Sequence, residues 1–72
     1  MASRNTNTIP RAPVARILQE AGAKRVSADA VEEFADIIQE IAEDIATRAA
    51  KIAKHSGRKT VQEGDVKLAA KA

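Results

Sequence analysis

Between Ala28 and His55 the chain runs for more than two dozen residues without a glycine or a proline, and Val31, Phe34, Ile38, Ile41, Ile45, Ala49 and Ile52 recur along it at spacings of three or four. That period places the apolar side chains on one stripe of a single α-helix. At about 1.5 Å per residue such a helix is on the order of 40 Å long, more than the width of a compact domain of this size. Its ends therefore need cover that a short chain cannot easily supply.

The whole chain has 72 residues, and Phe34 is its one aromatic residue. Chains below about 70–80 residues usually need disulfides, a metal or a partner subunit to be stable. Cysteine is absent, and one histidine cannot assemble a metal cage, so neither a disulfide nor a metal site is expected. No cofactor is implied. Association with a second chain is the remedy left. No apolar run approaches the roughly 20 residues that span a bilayer, and Met1 to Thr8 lack the apolar block of a secretory signal. A soluble, intracellular protein with no membrane contact is the expectation.

The chain divides into a short tail, residues 1–8, polar and without periodicity, and one domain, residues 9–72. Pro13 suits the first position of a short helix running to about Ala21, with Val14, Ile17, Leu18 and Ala21 on the face to be buried. Gly22 fits a left-handed stop after it. Ser27 is an N-cap for the long helix, and Asp29 in the first turn suits the helix dipole. Gly57 ends that helix. Thr60 with Glu63 reads as a capping box for a third helix, to which Val61, Asp65, Val66, Leu68 and Ala69 belong, the apolar ones on one side. No strand pattern occurs, so the expected class is all-α: short helix, long helix, short helix.

Formal charge is only +2, but its distribution is uneven. Asp29, Glu32, Glu33, Asp36, Glu40, Glu43 and Asp44 form an acidic stretch with no base, while Arg48, Lys51, Lys54, Arg58 and Lys59 form a basic one with no acid. Part of this pattern complements the helix dipole. The acids of the long helix face away from its apolar stripe, and nothing marks a dry, concave pocket in which a carboxylate or His55 could act as an acid or base. No phosphate-binding loop, dinucleotide fingerprint or metal-ligand spacing occurs. An enzyme is not expected.

The informative chemistry is a pair of short basic loops at helix junctions, Lys24-Arg25 and Arg58-Lys59-Thr60. If two long helices cross antiparallel, the first loop of one protomer comes beside the second loop of the other. Cations and helix N-termini then repeat along one side, which suits duplex phosphates. Arginine can also enter a narrow minor groove. Single-stranded binding is disfavoured by the lack of Tyr and Trp, and major-groove reading by the lack of a separate Arg/Asn-rich helix face. His55 at the end of the long helix reads either as a charge complementing the dipole or as an interface residue.

Three segments then match a known pattern: Ile9-Pro-x-Ala-Pro-Val-x-Arg-Ile-Leu18, Ala21-Gly-Ala-Lys-Arg-Val-Ser-x-Asp-Ala30, and Ala53-x-His-Ser-Gly-Arg-Lys-Thr-Val-x-x-x-Asp-Val-x-Leu-Ala69. In this order, and with these helix lengths between them, they closely resemble archaeal histones, relatives of the eukaryotic core histones. The resemblance implies the histone fold, an intertwined handshake dimer, either a homodimer or a heterodimer with a paralogous histone, and non-specific wrapping of double-stranded DNA in the nucleoid. By position it implies DNA contacts at Arg16, Lys24, Arg25, Arg58, Lys59 and Thr60, and an ion pair between Arg58 and Asp65. It also implies an end-to-end contact between dimers through Ile52, His55, Asp65 and Leu68, with His55 meeting Asp65 across it. Gly22 matches a small residue where superhelical turns stack.

The chain departs from the pattern in an N-terminal extension carrying Arg4 and Arg11, which are candidates for further DNA contact. It departs also in Gly64 within the third helix, and in ending at Lys71-Ala72. The competing expectation is a histone-fold dimerisation module serving in transcription or assembly. Loss of the loop bases would mark it, and here both loops keep them.

Overall fold

The computed structural model describes residues 8–71. They form α1 (Arg11–Glu20), α2 (Ala28–His55) and α3 (Glu63–Lys71), with no strand among the described residues. Those up to Glu40 make one compact unit and those from Ile41 a second, and α2 runs through both. The expected tail lies outside the described residues except for Thr8, whose amide and hydroxyl both donate to Gln39 Oε1, at 3.1 and 3.2 Å.

α1 begins two residues before the position expected from Pro13. Pro10 is its N-cap, with extended backbone and no side-chain bond to the helix. Pro13 is thus the third helical residue, still within the first turn, where an amide hydrogen would have had no intrahelical partner. At the far end Gly22 adopts φ 127°, Gly22 N–H donates to Gln19 O at 3.0 Å, and Ala23 N–H donates to Leu18 O at 3.1 Å. This reciprocal pair closes the orphan carbonyls of a helix end, and the positive φ it requires favours glycine.

α2 is capped where the sequence placed the cap: Ala30 N–H donates to Ser27 Oγ at 3.0 Å. Its C-terminus repeats the stop of α1, with Gly57 at φ 76°, its N–H on Lys54 O at 2.9 Å and Arg58 N–H on Ala53 O at 2.9 Å. α3 departs from expectation. Thr60 and Val61 precede it, so the Thr60–Glu63 capping box does not form. Gln62 carries the first helical carbonyl, accepting from Val66 N–H at 3.3 Å, and Asp65 Oδ2 reaches back to accept from Gln62 N–H at 2.8 Å. A carboxylate in the third helical position thus satisfies a donor at the helix start.

The first unit's core joins Val14 of α1 to Val31 and Ala35 of α2, with Ile9, Ala15, Val26, Phe34 and Ile38 packed around them. In the second unit the buried apolar residues are Ala49 and Ala53 of α2 and Ala69 of α3. Two expected apolar faces are only partly covered within one chain. Ile17 is 51% exposed and Ala21 exposed, although Val14 on the same helix is buried. In α3 the inward residues are Asp65 and Ala69, one turn apart, while Val66 and Leu68 stand 45% and 58% exposed. The reason is Asp65 itself, whose ion pair and helix-start bond hold that face of α3 inward. On the long stripe, Ile41 at its middle is 55% exposed.

Candidate nucleic-acid interface

The two glycine stops determine where the loop bases go. After Gly22, the chain is turned out of α1 and presents Lys24 and Arg25 to solvent before Val26 returns to the core and Ser27 starts α2. Arg16 lies exposed on α1. After Gly57 the same construction delivers Arg58, Lys59 and Thr60, and here a second device fixes the loop. Arg58 Nη1 donates to Asp65 Oδ2 at 2.7 Å and Nη2 to Asp65 Oδ1 at 2.9 Å, while Nη1 also reaches Thr60 O at 3.2 Å. The side chain of Asp65 is 6% exposed and that of Arg58 32%. A planar guanidinium meeting a carboxylate in two parallel bonds is the strong, geometrically defined form of ion pair.

This pairing sets the charge states. The two bonds from Arg58, followed by the bond from the Gln62 amide, hold the Asp65 carboxyl down to about 2 against the desolvation that would raise it. The same bonds raise Arg58 above its ordinary value. Asp65 already accepts three hydrogen bonds, and one acceptor position on Oδ1 remains for a further donor. His55, in the last turn of α2, is exposed.

The site residues named from the sequence thus fall into two sets. Arg58 and Asp65 are brought together, and the guanidinium of Arg58 faces inward onto the loop it braces. Arg16, Lys24, Arg25, Lys59 and Thr60 have exposed side chains, and the four cations carry no ion pair among the described residues. Ile52 is half-buried and Leu68 exposed, the two lining one groove. At Gly22 a Cβ would meet nothing within 4 Å, so within one chain the glycine answers to its φ and not to a close neighbour. Among the described residues no group of three or more His, Cys, Asp or Glu is placed to hold a metal ion, and no helix is long and apolar enough to cross a membrane.

Two arginines behave in ways the sequence did not reveal. Arg11, a candidate for DNA contact, is instead bound to α2: its Nε and Nη2 donate to the two oxygens of Glu32, each at 2.8 Å, and its Nη1 donates to Ile9 O at 2.6 Å. The Arg11 bond holds the Glu32 carboxyl below its ordinary range. Arg4 lies outside the described residues. Arg48 donates from Nε to Ala69 O at 3.1 Å, covering a carbonyl in the last turn of α3, and pairs through Nη1 with Asp44 at 2.8 Å. The Arg11–Glu32 pair and the Arg48 bond to Ala69 O could not be assigned from spacing, because each spans 21 residues between two helices, whereas the Arg48–Asp44 pair is an ordinary one-turn pair within α2.

Residues 7–70 match the family described as histone-like transcription factor (CBF/NF-Y) and archaeal histone. The chain is 45% identical over 64 residues to one of the subunits of the archaeal histone HAN1 of Thermococcus zilligii, covering 89% of this chain and 96% of that protein. It is 49% identical over 61 residues to "Probable archaeal histone 3" of Methanocaldococcus jannaschii, covering 85% of this chain and 91% of that one. With three helices of short, long and short length, two glycine-turned basic loops and a match over almost its whole length, the chain belongs to this family of archaeal histones and histone-like factors, and its fold is the histone fold.

Proposed function

We propose that the protein is an architectural chromatin component that binds and bends duplex DNA as a dimer, gripping the backbone with little regard to sequence. The observation that carries this reading is the contrast within its basic residues. Arg11, Arg48, Arg58 and Lys67 are held by carboxylates, whereas Arg16, Lys24, Arg25 and Lys59, like Lys51, Lys54 and Lys71, are left exposed and without an ion pair among the described residues, and Lys24, Arg25 and Lys59 stand on loops turned outward by glycines. Cations kept free of internal partners are available to neutralise phosphates. Membership of a family whose relatives bear the name archaeal histone supports the same reading.

In the proposed dimer the α2 helices cross antiparallel, the first loop of one protomer lies beside the second loop of its partner, and Arg58 braces the loop while Lys59 and Thr60 meet the backbone. Arg16 and Arg25 are the candidates for a narrow minor groove. Affinity then rests on counterion release and falls steeply with salt, and preference among sequences follows duplex bendability. Growth of bound dimers into a superhelix requires an end-to-end contact at Ile52, His55, Asp65 and Leu68, with the remaining acceptor position of Asp65 open to His55 of a neighbour and Gly22 at the stacking surface.

Nuclease digestion of mixed-sequence duplex saturated with the protein tests this. Protected fragments of any regular size support DNA wrapping, a ladder adds end-to-end growth, and one short size leaves bending dimers alone. Absence of protection at low salt overturns the DNA reading in favour of a dimerisation module acting on other proteins.

A further inference from the structure

We infer that Arg11 and Glu32 are a positioning pair for the duplex-binding face: by clamping the start of α1 onto α2, they hold Arg16 in the direction from which it meets DNA. The inference rests on the DNA reading above and gives neither residue a contact with the duplex. Arg11 Nε and Nη2 each donate to a Glu32 carboxylate oxygen at 2.8 Å, the two-bond form of this ion pair. Its Nη1 donates to Ile9 O at 2.6 Å, tying the same side chain to the segment that leads into the helix. Two turns farther along α2, Gln39 Oε1 accepts from both the amide and the hydroxyl of Thr8. From Glu32 to Gln39 the helix rises about 10 Å, and three extended residue steps from Thr8 to Arg11 cover about the same length. Residues 8–11 therefore form a strap laid antiparallel along α2, with Ile9 packed on the core.

Little else on α1 sets its direction. Val14 is its one buried residue, and only Ala15 beside it joins Val14 on the core. Two neighbouring residues at the middle of a helix fix its place more firmly than its tilt. Ile17 is 51% exposed, and the N-cap, Pro10, makes no side-chain bond to the helix. The clamp at Arg11, about 4.5 Å along the axis from Val14, supplies the second point that a direction needs. Arg16, exposed on the other side of Val14, takes its position from that direction. A direct phosphate contact by Arg11 fits less well. All three of its guanidinium nitrogens are engaged, and an approaching phosphate would meet the negative charges of Glu32 and Asp36, both of which act on Arg11.

The test compares the duplex affinity of the full chain with that of Glu32→Ala and Arg11→Ala, whose charge changes are opposite in sign, each made also in an Arg16→Ala background. The expected result is that both variants bind about threefold more weakly, the scale of an exposed two-bond pair, although Glu32→Ala makes the protein more positive. Both losses should vanish once Arg16 is absent, because a positioning pair acts through the residue it positions. The exchanged variant Arg11→Glu/Glu32→Arg, with the original net charge, should regain affinity, and circular dichroism checks that every variant keeps its helical content at the assay temperature. Two results overturn the inference. Glu32→Ala binds as tightly as the unaltered protein or more tightly, so that charge alone, or a phosphate contact of Arg11, accounts for the residue. Or the losses persist undiminished in the Arg16→Ala background, so that the pair holds the fold and does not aim Arg16. Either result leaves the DNA reading standing, whereas failure of the unaltered protein to bind duplex at low salt overturns that reading and this inference with it.

Discussion

Among the described residues Asp65 is the sole buried charge, and it joins two jobs: it starts α3 through the Gln62 amide and braces the second loop through Arg58. Its carboxyl is held at about 2, below the ordinary 3.8, so the stability it contributes is complete above about pH 4 and is lost as pH falls through 2. Glu32, lowered by Arg11, acts with the same sign. Asp65→Asn is therefore expected to lower the melting temperature at pH 7 and to flatten the decline between pH 4 and pH 2. Thermal unfolding followed by circular dichroism across that range checks it. An unchanged acid profile in the variant would assign the acid sensitivity elsewhere. The pairing of Arg58 with Asp65 was legible only through the family resemblance, since a seven-residue separation across a loop fixes no geometry. The diversion of Arg11 to Glu32 was not legible at all, because it depends on how α1 lies along α2.

Loop placement is an element-scale property, and here three glycines separate backbone demand from packing. A Cβ at Gly22, Gly57 or Gly64 would meet nothing within 4 Å, so space does not distinguish them. Conformation does. Gly22 and Gly57 hold φ at 127° and 76° in the helix stops, whereas Gly64 is an ordinary α3 residue. Gly22→Ala and Gly57→Ala should each cost roughly 1–2 kcal/mol from the left-handed backbone alone. Gly64→Ala should stabilise by about 0.5–1 kcal/mol through helix propensity. Urea unfolding of the three variants gives the signs, and a destabilising Gly64→Ala would reveal a contact at that position in the assembled protein. The second loop's variant should also weaken DNA binding, because Lys59 follows from that turn. The stops and the Ser27 cap were readable because each rests on local chemistry within a few residues. The start of α3 was misread because Thr60 and Glu63 satisfy the capping pattern in sequence, while Arg58 holds the Thr60 carbonyl and Asp65 takes over the helix start.

At the scale of the whole molecule, the contents of the two cores decide the issue. The buried apolar residues are Val14, Val31 and Ala35 in one unit and Ala49, Ala53 and Ala69 in the other, four of the six being alanine, which buries little area. Ile17, Ile37, Ile41, Val61, Val66 and Leu68 stay between 44% and 58% exposed. At about 25 cal/mol per Å² of apolar surface, covering such side chains is the largest favourable term still open to this chain. The stripe along α2 was plain in the sequence, but the emptiness at its middle was not, because periodicity says which face seeks cover and not what supplies it. A second chain over Ile41 would supply it, and folding would then be coupled to association. The melting temperature should therefore rise with protein concentration, and Ile41→Lys, placing a charge at the crossing, should shift sedimentation toward the monomer with loss of helical signal and of DNA binding together. Lys24→Ala/Arg25→Ala should do the opposite: dimer and melting temperature preserved, DNA affinity reduced, and the slope of log affinity against log salt made shallower by about one for each phosphate contact removed. A melting temperature independent of concentration, with Ile41→Lys still folded, would show that each chain stands alone and that the exposed stripe serves another purpose.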